Sequence, residues 1–132
     1  MESSIEAAAA RLLAARSGTP TEPIRDLIGS TDIDLAYRVQ ERVIGARLAE
    51  GAKVVGCKMG ITSQAVMDQV GVDQPDFGFL LDDMSFADGE PIPFARLLQP
   101  RAEVEVAFVI GADLGGDAGA DKVRAAVAYA ST

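Results

Sequence analysis

The 132-residue chain contains no histidine, and no other absence removes as much chemistry. Without histidine, Ser-His-Asp and Cys-His catalysis within this chain is excluded, and so are histidine-bearing zinc sites. A single cysteine, Cys57, excludes an internal disulfide and a thiolate cluster, and makes a reducing cytoplasm the natural setting. Any metal must then be held by oxygen, which points to Mg²⁺, Mn²⁺ or Ca²⁺. No run approaches the roughly 18 consecutive apolar residues of a membrane span. The start, Met1-Glu2-Ser3-Ser4-Ile5-Glu6, lacks the basic region of a signal peptide. Positive charge is also scarce. A net charge of −8 disfavours nucleic acid and anionic membrane partners, and an anionic substrate would need a bound cation to offset it locally.

What is present is globular in character, 48% hydrophobic and 24% charged, and long enough to bury a core. Ser3 and Glu6 form a capping box ahead of Ile5, Ala8, Ala9, Leu12 and Leu13, predicting an amphipathic helix that closes near Gly18. Pro20 and Pro23 mark a linker. A second helix begins at Thr31 or Asp32, with Leu35, Ala36, Val39, Val43 and Ala46 as its apolar stripe and Gly51 just past its end. Neither helix carries chemistry.

A short strand then starts at Lys53 and runs into Gly56-Cys57-Lys58-Met59-Gly60. Flanking glycines let the backbone at Lys58 approach a ligand, although a lysine so placed also suits a surface loop. Ser63 offers an N-cap for a short helix over Gln64–Val70, ended by Gly71. After the turn-rich stretch 72–78, a strand starts at Phe79 and reaches Met84, and Ala87-Asp88-Gly89-Glu90 reads as a hairpin turn. Pro91-Ile92-Pro93-Phe94 would return as an edge strand, since its prolines cannot donate to a ladder. By spacing alone Asp76, Asp82 and Asp83 suit turns or the surface.

Residues 99–110, Gln-Pro-Arg-Ala-Glu-Val-Glu-Val-Ala-Phe-Val-Ile, predict a β-strand. Val104, Val106, Phe108 and Ile110 would share one face, and Glu103, Glu105, Ala107 and Val109 the other. Carboxylates at i and i+2 lie roughly 6.5–7 Å apart at their α-carbons, near enough to converge on one cation. Alternating Glu and Val equally suits a strand with one wet face. The loop from Gly111 to Gly119 lacks the spacing of a phosphate loop, and its aspartates would repel phosphate. The last segment, 121–129, has Val123, Ala126, Val127 and Ala130 at helical spacing.

Three stretches, Gly56-Cys57-Lys58-Met59-Gly60-Ile61-Thr62-Ser63, Gly71-Val72-Asp73-Gln74-Pro75-Asp76-Phe77-Gly78 and Pro100-Arg101-Ala102-Glu103-Val104-Glu105-Val106-Ala107-Phe108-Val109, occur in an order and spacing that resembles the 2-keto-4-pentenoate (2-hydroxypenta-2,4-dienoate) hydratase family of the fumarylacetoacetate hydrolase superfamily. The similarity extends to Arg25-Asp26-Leu27-Ile28 and to the region of Tyr37 and Gln40. The resemblance implies an α+β, fumarylacetoacetate-hydrolase-like mixed β fold, with a helical region over 1–52 and the first part of a catalytic β domain over 53–132. It also implies Mg²⁺ or Mn²⁺ on Glu103 and Glu105, and Lys58 and Asp76 as catalytic residues. The expected partners are a small 2-hydroxydienoate or 2-oxo acid and further copies of the chain, in the cytoplasmic breakdown of aromatic compounds. The family's third metal carboxylate would fall beyond Thr132, so the chain resembles the N-terminal half of such an enzyme. The 4-oxalocrotonate decarboxylases share much of the pattern. A truncated, non-catalytic chain that packs against other subunits is the reading from another class.

Overall fold

A computed structural model describes residues 1–16 and 18–132. Contacts divide it into two units, Met1–Leu98 and Gln99–Thr132.

The first unit opens with α1 (Glu2–Ala15), a single turn α2 (Arg25–Ile28) and α3 (Ile33–Ala49). Ile5, Ala8 and Ala9 of α1 and Val39 of α3 form the buried core, with Leu12, Ile24, Leu27, Ile28, Leu35 and Val43 packed around it. The small side chains of Ala8 and Ala9 let the two helices approach closely. Across their outer edge Glu2 pairs with Arg38 and Arg42, and Glu6 with Arg42.

That pairing corrects the expected capping box. Ser3 lies inside α1, Met1 is the N-cap without a side-chain bond, and the Ser4 and Ile5 N–H groups donate to the Met1 carbonyl. Glu6 is held by Arg42 at 2.6 Å. The proline-marked linker also contains α2, which Arg11 anchors through a bidentate pair to Asp26 at 2.7 and 3.0 Å. The caps of α3 match expectation. Asp32 accepts from the Leu35 N–H at 2.9 Å, and Gly51 follows at φ 103°, where the left-handed backbone favours glycine.

Next come β1 (Val54–Gly60), α4 (Gln64–Val70) and β2 (Asp76–Leu81). Ser63 caps α4 by accepting from the Val66 N–H, and Gly71 ends it at φ 80°. The two strands pair antiparallel. Contrary to expectation, β2 stops at Leu81, and Asp82–Met84 forms a 3₁₀ turn. The cause is a local lock: Asp82 donates its N–H to the Lys53 carbonyl at 2.9 Å and accepts the Lys53 N–H on its carboxylate at 3.0 Å. Asp83 is bound by the buried Arg47 at 2.5 Å, with Arg16 and Arg96 further out. The Arg47 hydrogen bond above all holds the Asp83 carboxyl below the usual carboxylate range. Ala87 and Glu90 do form a turn, but no edge strand returns from it. Phe94–Arg96 is a 3₁₀ turn instead, since Pro91 and Pro93 deprive that segment of ladder donors.

The second unit pairs β3 (Ala107–Ile110) antiparallel with β4 (Val127–Ser131), joined through α5 (Ala120–Ala126). Two expectations are corrected here. The strand predicted over 99–110 begins only at Ala107, and residues 101–106 have no regular structure. In the ladder Ala107 pairs with Ser131, and regular strand structure starts at that pair. The helix predicted over 121–129 ends at Ala126. Val127 pairs with Ile110 and Tyr129 with Val109; long-range pairing of β-branched and aromatic residues overrides the helical spacing.

Among the described residues no helix is long and apolar enough to cross a membrane.

Candidate active site

Lys58 sits in mid-β1, directly opposite Gly78, while Gly56 and Gly60 lie two positions to either side. Residues opposite each other in an antiparallel pair share a face, as do i and i+2. Lys58 therefore shares its face with three glycines, and the strand backbone beside it carries no side chain at those positions. Asp76 stands opposite Gly60. It is thus the diagonal neighbour of Lys58 on the same face, a relation that puts α-carbons roughly 7–8 Å apart and within reach of long side chains.

The glycine at position 60 has a measurable role. A β-carbon built there would meet the Asp76 Oδ1 at 2.3 Å, so the carboxylate folds over a bare α-carbon. Sequence reading had named Lys58, Asp76 and the two flanking glycines. The contribution of Gly78 and the shared face come from the strand register.

The start of β2 is held from its other side by α3. The Phe77 N–H donates to the Tyr37 hydroxyl at 3.2 Å, and the Gln40 Nε2 donates to the Phe77 carbonyl at 3.2 Å. The Tyr37 and Phe77 rings stack with centroids 5.0 Å apart. Beside them lies a cleft of about 310 Å³ lined by Tyr37, Ile61, Val72, Pro75, Asp76 and Phe77, among others. Ile61 takes φ 55°, a left-handed conformation that a β-branched residue adopts only under constraint. Strain thus sits at the exit of β1, beside the candidate carboxylate.

In the second unit Glu103 and Glu105 are both exposed, on the irregular segment before β3. They are two positions apart, as expected, but on irregular backbone and not on a strand face. Among the described residues no three His, Cys, Asp or Glu side chains come together as a metal-binding group. As a donor set the pair is chemically suited to a hard divalent cation, which prefers carboxylate oxygen and readily keeps water in its remaining positions. A wider concavity of about 640 Å³ in this unit is lined by the 112–118 loop, Lys122, Ala125 and Ala126, and includes none of the four candidate residues.

No protein-family profile matches the chain. It is 54% identical over 110 residues to 2-keto-4-pentenoate hydratase 2 of Dechloromonas aromatica, covering 83% of this chain and 42% of that protein. It is 50% identical over 104 residues to the TodF product hydratase of Pseudomonas putida, covering 79% of this chain and 39% of that protein. The chain belongs to the 2-keto-4-pentenoate hydratase family. Family likeness extends to solved structures. The 4-oxalocrotonate decarboxylase of Pseudomonas putida G7 complexed with calcium and acetate superposes with a TM-score of 0.87 at 32% identity, covering 98% of this chain and 51% of that one. The same enzyme with magnesium and adipate gives 0.86. The α+β fold, with its helices first, is the one these structures share. The chain spans about 40 to 50% of the length of these hydratase-family relatives.

Proposed function

We propose that this chain forms part of a divalent-metal-dependent hydratase that adds water to 2-hydroxypenta-2,4-dienoate and yields 4-hydroxy-2-oxopentanoate. The observation that carries the proposal is the placement of Lys58 and Asp76 as diagonal neighbours on one hairpin face, in a chain 54% identical over 110 residues to a hydratase. Hydration of this dienol to a 2-oxo acid needs a proton delivered to C5 as the C2 hydroxyl gives up its own, water added at C4 and a proton returned to C3. An ammonium group and a carboxylate on the same hairpin face would supply that acid and that base. In this reading Lys58 moves the proton to C5 and steadies negative charge on the C2 oxygen. Asp76 holds the water and takes its proton as the oxygen bonds to C4.

Glu103 and Glu105 would hold the cation, Mg²⁺ or Mn²⁺, and a magnesium complex of the structurally similar decarboxylase supports that choice. When bound, such an ion supplies Lewis acidity to a 2-oxo or 2-hydroxy acid oxygen. A setting in the cytoplasm, in the breakdown of aromatic compounds, agrees with the lone cysteine and with the hydratase relatives. Assembly with further copies belongs to this reading as what the family resemblance implies.

One observation favours a second reading: 4-oxalocrotonate decarboxylase is a solved structure that this chain resembles in fold, with TM-scores of 0.87 and 0.86. Loss of carbon dioxide would then leave its electron pair as a dienolate on the C2 oxygen, and the Lys58 ammonium group would steady that charge and protonate it. An assay of a polypeptide of the relatives' full length that carries this chain separates the two. With magnesium present, loss of the dienoate chromophore at a rate well above carbon dioxide release from 4-oxalocrotonate is expected. The reverse order of rates would replace hydration by decarboxylation.

The bare α-carbon under Asp76 gives a further expectation. Gly60 is not in the left-handed region, so Gly60→Ala leaves the backbone unstrained, yet its methyl group displaces the Asp76 carboxylate. Misplacing a catalytic group by about 1 Å costs on the order of 10²-fold in rate. We expect kcat to fall by about that factor with the circular dichroism spectrum unchanged. An undiminished kcat would show that the position of Asp76 does not matter to the reaction.

A further inference from the structure

We propose that Tyr37 and Gln40 are positioning residues for Asp76, an inference that rests on the acid–base role given to Asp76 above. In an antiparallel ladder each residue turns its N–H and C=O to the same side. At Phe77 both groups are taken up by α3, the N–H by the Tyr37 hydroxyl and the C=O by the Gln40 amide, each at 3.2 Å. Two side chains thus do at this edge what a third strand would otherwise do. Tyr37 and Gln40 lie three positions apart, on one face of the helix. Between them Val39 points into the buried core with Ile5, Ala8 and Ala9 of α1, so the pair projects from an element fixed by its own packing.

Phe77 follows Asp76 directly, and its ring is stacked on Tyr37. Fixing the Phe77 peptide on both sides fixes the direction of the adjoining Asp76 α-carbon, whose carboxylate must settle over Gly60. β2 begins at Asp76 and its ladder partner Gly60 is the last residue of β1. Asp76 is therefore in the terminal pair of the β1–β2 ladder, where strand pairing supports it on one side only. The clamp from α3 compensates at that point. Neither residue touches the reacting atoms in this scheme; they act through Phe77.

The test is a double-mutant cycle in a polypeptide of the relatives' full length that carries this chain, assayed with dienoate and magnesium. Tyr37→Phe keeps the stacked ring and removes only the hydroxyl acceptor; Gln40→Met keeps the length and removes the donor. The double variant is expected to lose roughly tenfold in kcat, the effect of about one net hydrogen bond, with KM changed less than about twofold. In an Asp76→Asn background the same pair of substitutions should change kcat little, because the group being positioned is no longer functional. An equal tenfold loss in that background would mark a general structural role and overturn the inference. A rise in KM at constant kcat would assign the two residues to substrate binding and overturn it as well. The parent reading fails separately: Asp76→Asn alone turning over at the unaltered rate would remove Asp76 from the chemistry, whatever Tyr37 and Gln40 do.

Discussion

Lys58→Ala, made in a polypeptide of the relatives' full length that carries this chain, is expected to lower kcat by roughly 10² to 10⁴, the usual contribution of a positioned acid–base group. Three features set that expectation. The residue is in the middle of β1 rather than in a loop, and the same-face positions directly along and across from it are Gly56, Gly60 and Gly78, with Asp76 and Leu80 on the diagonals. None of those glycines brings a second proton donor to the position. Packing of the hairpin relies on other residues, above all the fully buried Leu81 opposite Val54, so a folding defect would not account for the loss. Lys58→Arg should restore charge without restoring rate, because a guanidinium does not give up its proton near neutral pH. Recovery of the full rate by arginine would reduce Lys58 to a fixed positive charge. A near-normal rate for the alanine variant would take it out of the reaction altogether.

The second large effect is expected from Glu103→Gln combined with Glu105→Gln. Amide oxygens are neutral and bind hard cations far less well than carboxylates. Losing both charges should weaken magnesium binding. At low magnesium, turnover should fall by roughly 10³-fold, in line with the several kcal/mol of charge stabilisation that a catalytic cation provides. High magnesium should recover part of the rate, as a lowered affinity requires. Folding should be untouched, since both side chains are exposed on a segment without regular structure. Full activity and unaltered magnesium affinity in the double variant would contradict the assignment.

Much of the fold was legible where the signals are local. Asp32 and Gly51 bound α3, and Ser63 and Gly71 bound α4, because a cap acts on backbone groups within one turn of itself. The errors lie where structure depends on distant partners. The β-branched stretch up to Ile110 does form a strand, but residue types alone do not mark where its pairing with β4 starts, at Ala107. β4 itself hid in a pattern that fits a helix as well as a strand. Lys58 and Asp76 are named as catalytic by the family resemblance, since by spacing alone Asp76 suits a turn and Lys58 a surface loop, whereas their common face follows from a register that pairs Gly60 with Asp76 and Lys58 with Gly78. Tyr37 and Gln40 entered the sequence reading only through the family resemblance. Their bonds to Phe77 span 40 and 37 positions, and no local pattern announces them. Asp82 and Asp83 were read as turn or surface carboxylates, and they do serve structure, one locking Lys53 and the other neutralising Arg47.

The most direct measurement follows the ultraviolet absorbance of 2-hydroxypenta-2,4-dienoate in the presence of a polypeptide of the relatives' full length carrying this chain, first with magnesium and then with excess chelator. The account predicts magnesium-dependent loss of the dienoate with 4-hydroxy-2-oxopentanoate as product, halted by the chelator and restored by added magnesium. Dienoate that disappears equally fast with the metal stripped away, or that persists with magnesium in excess, would contradict it.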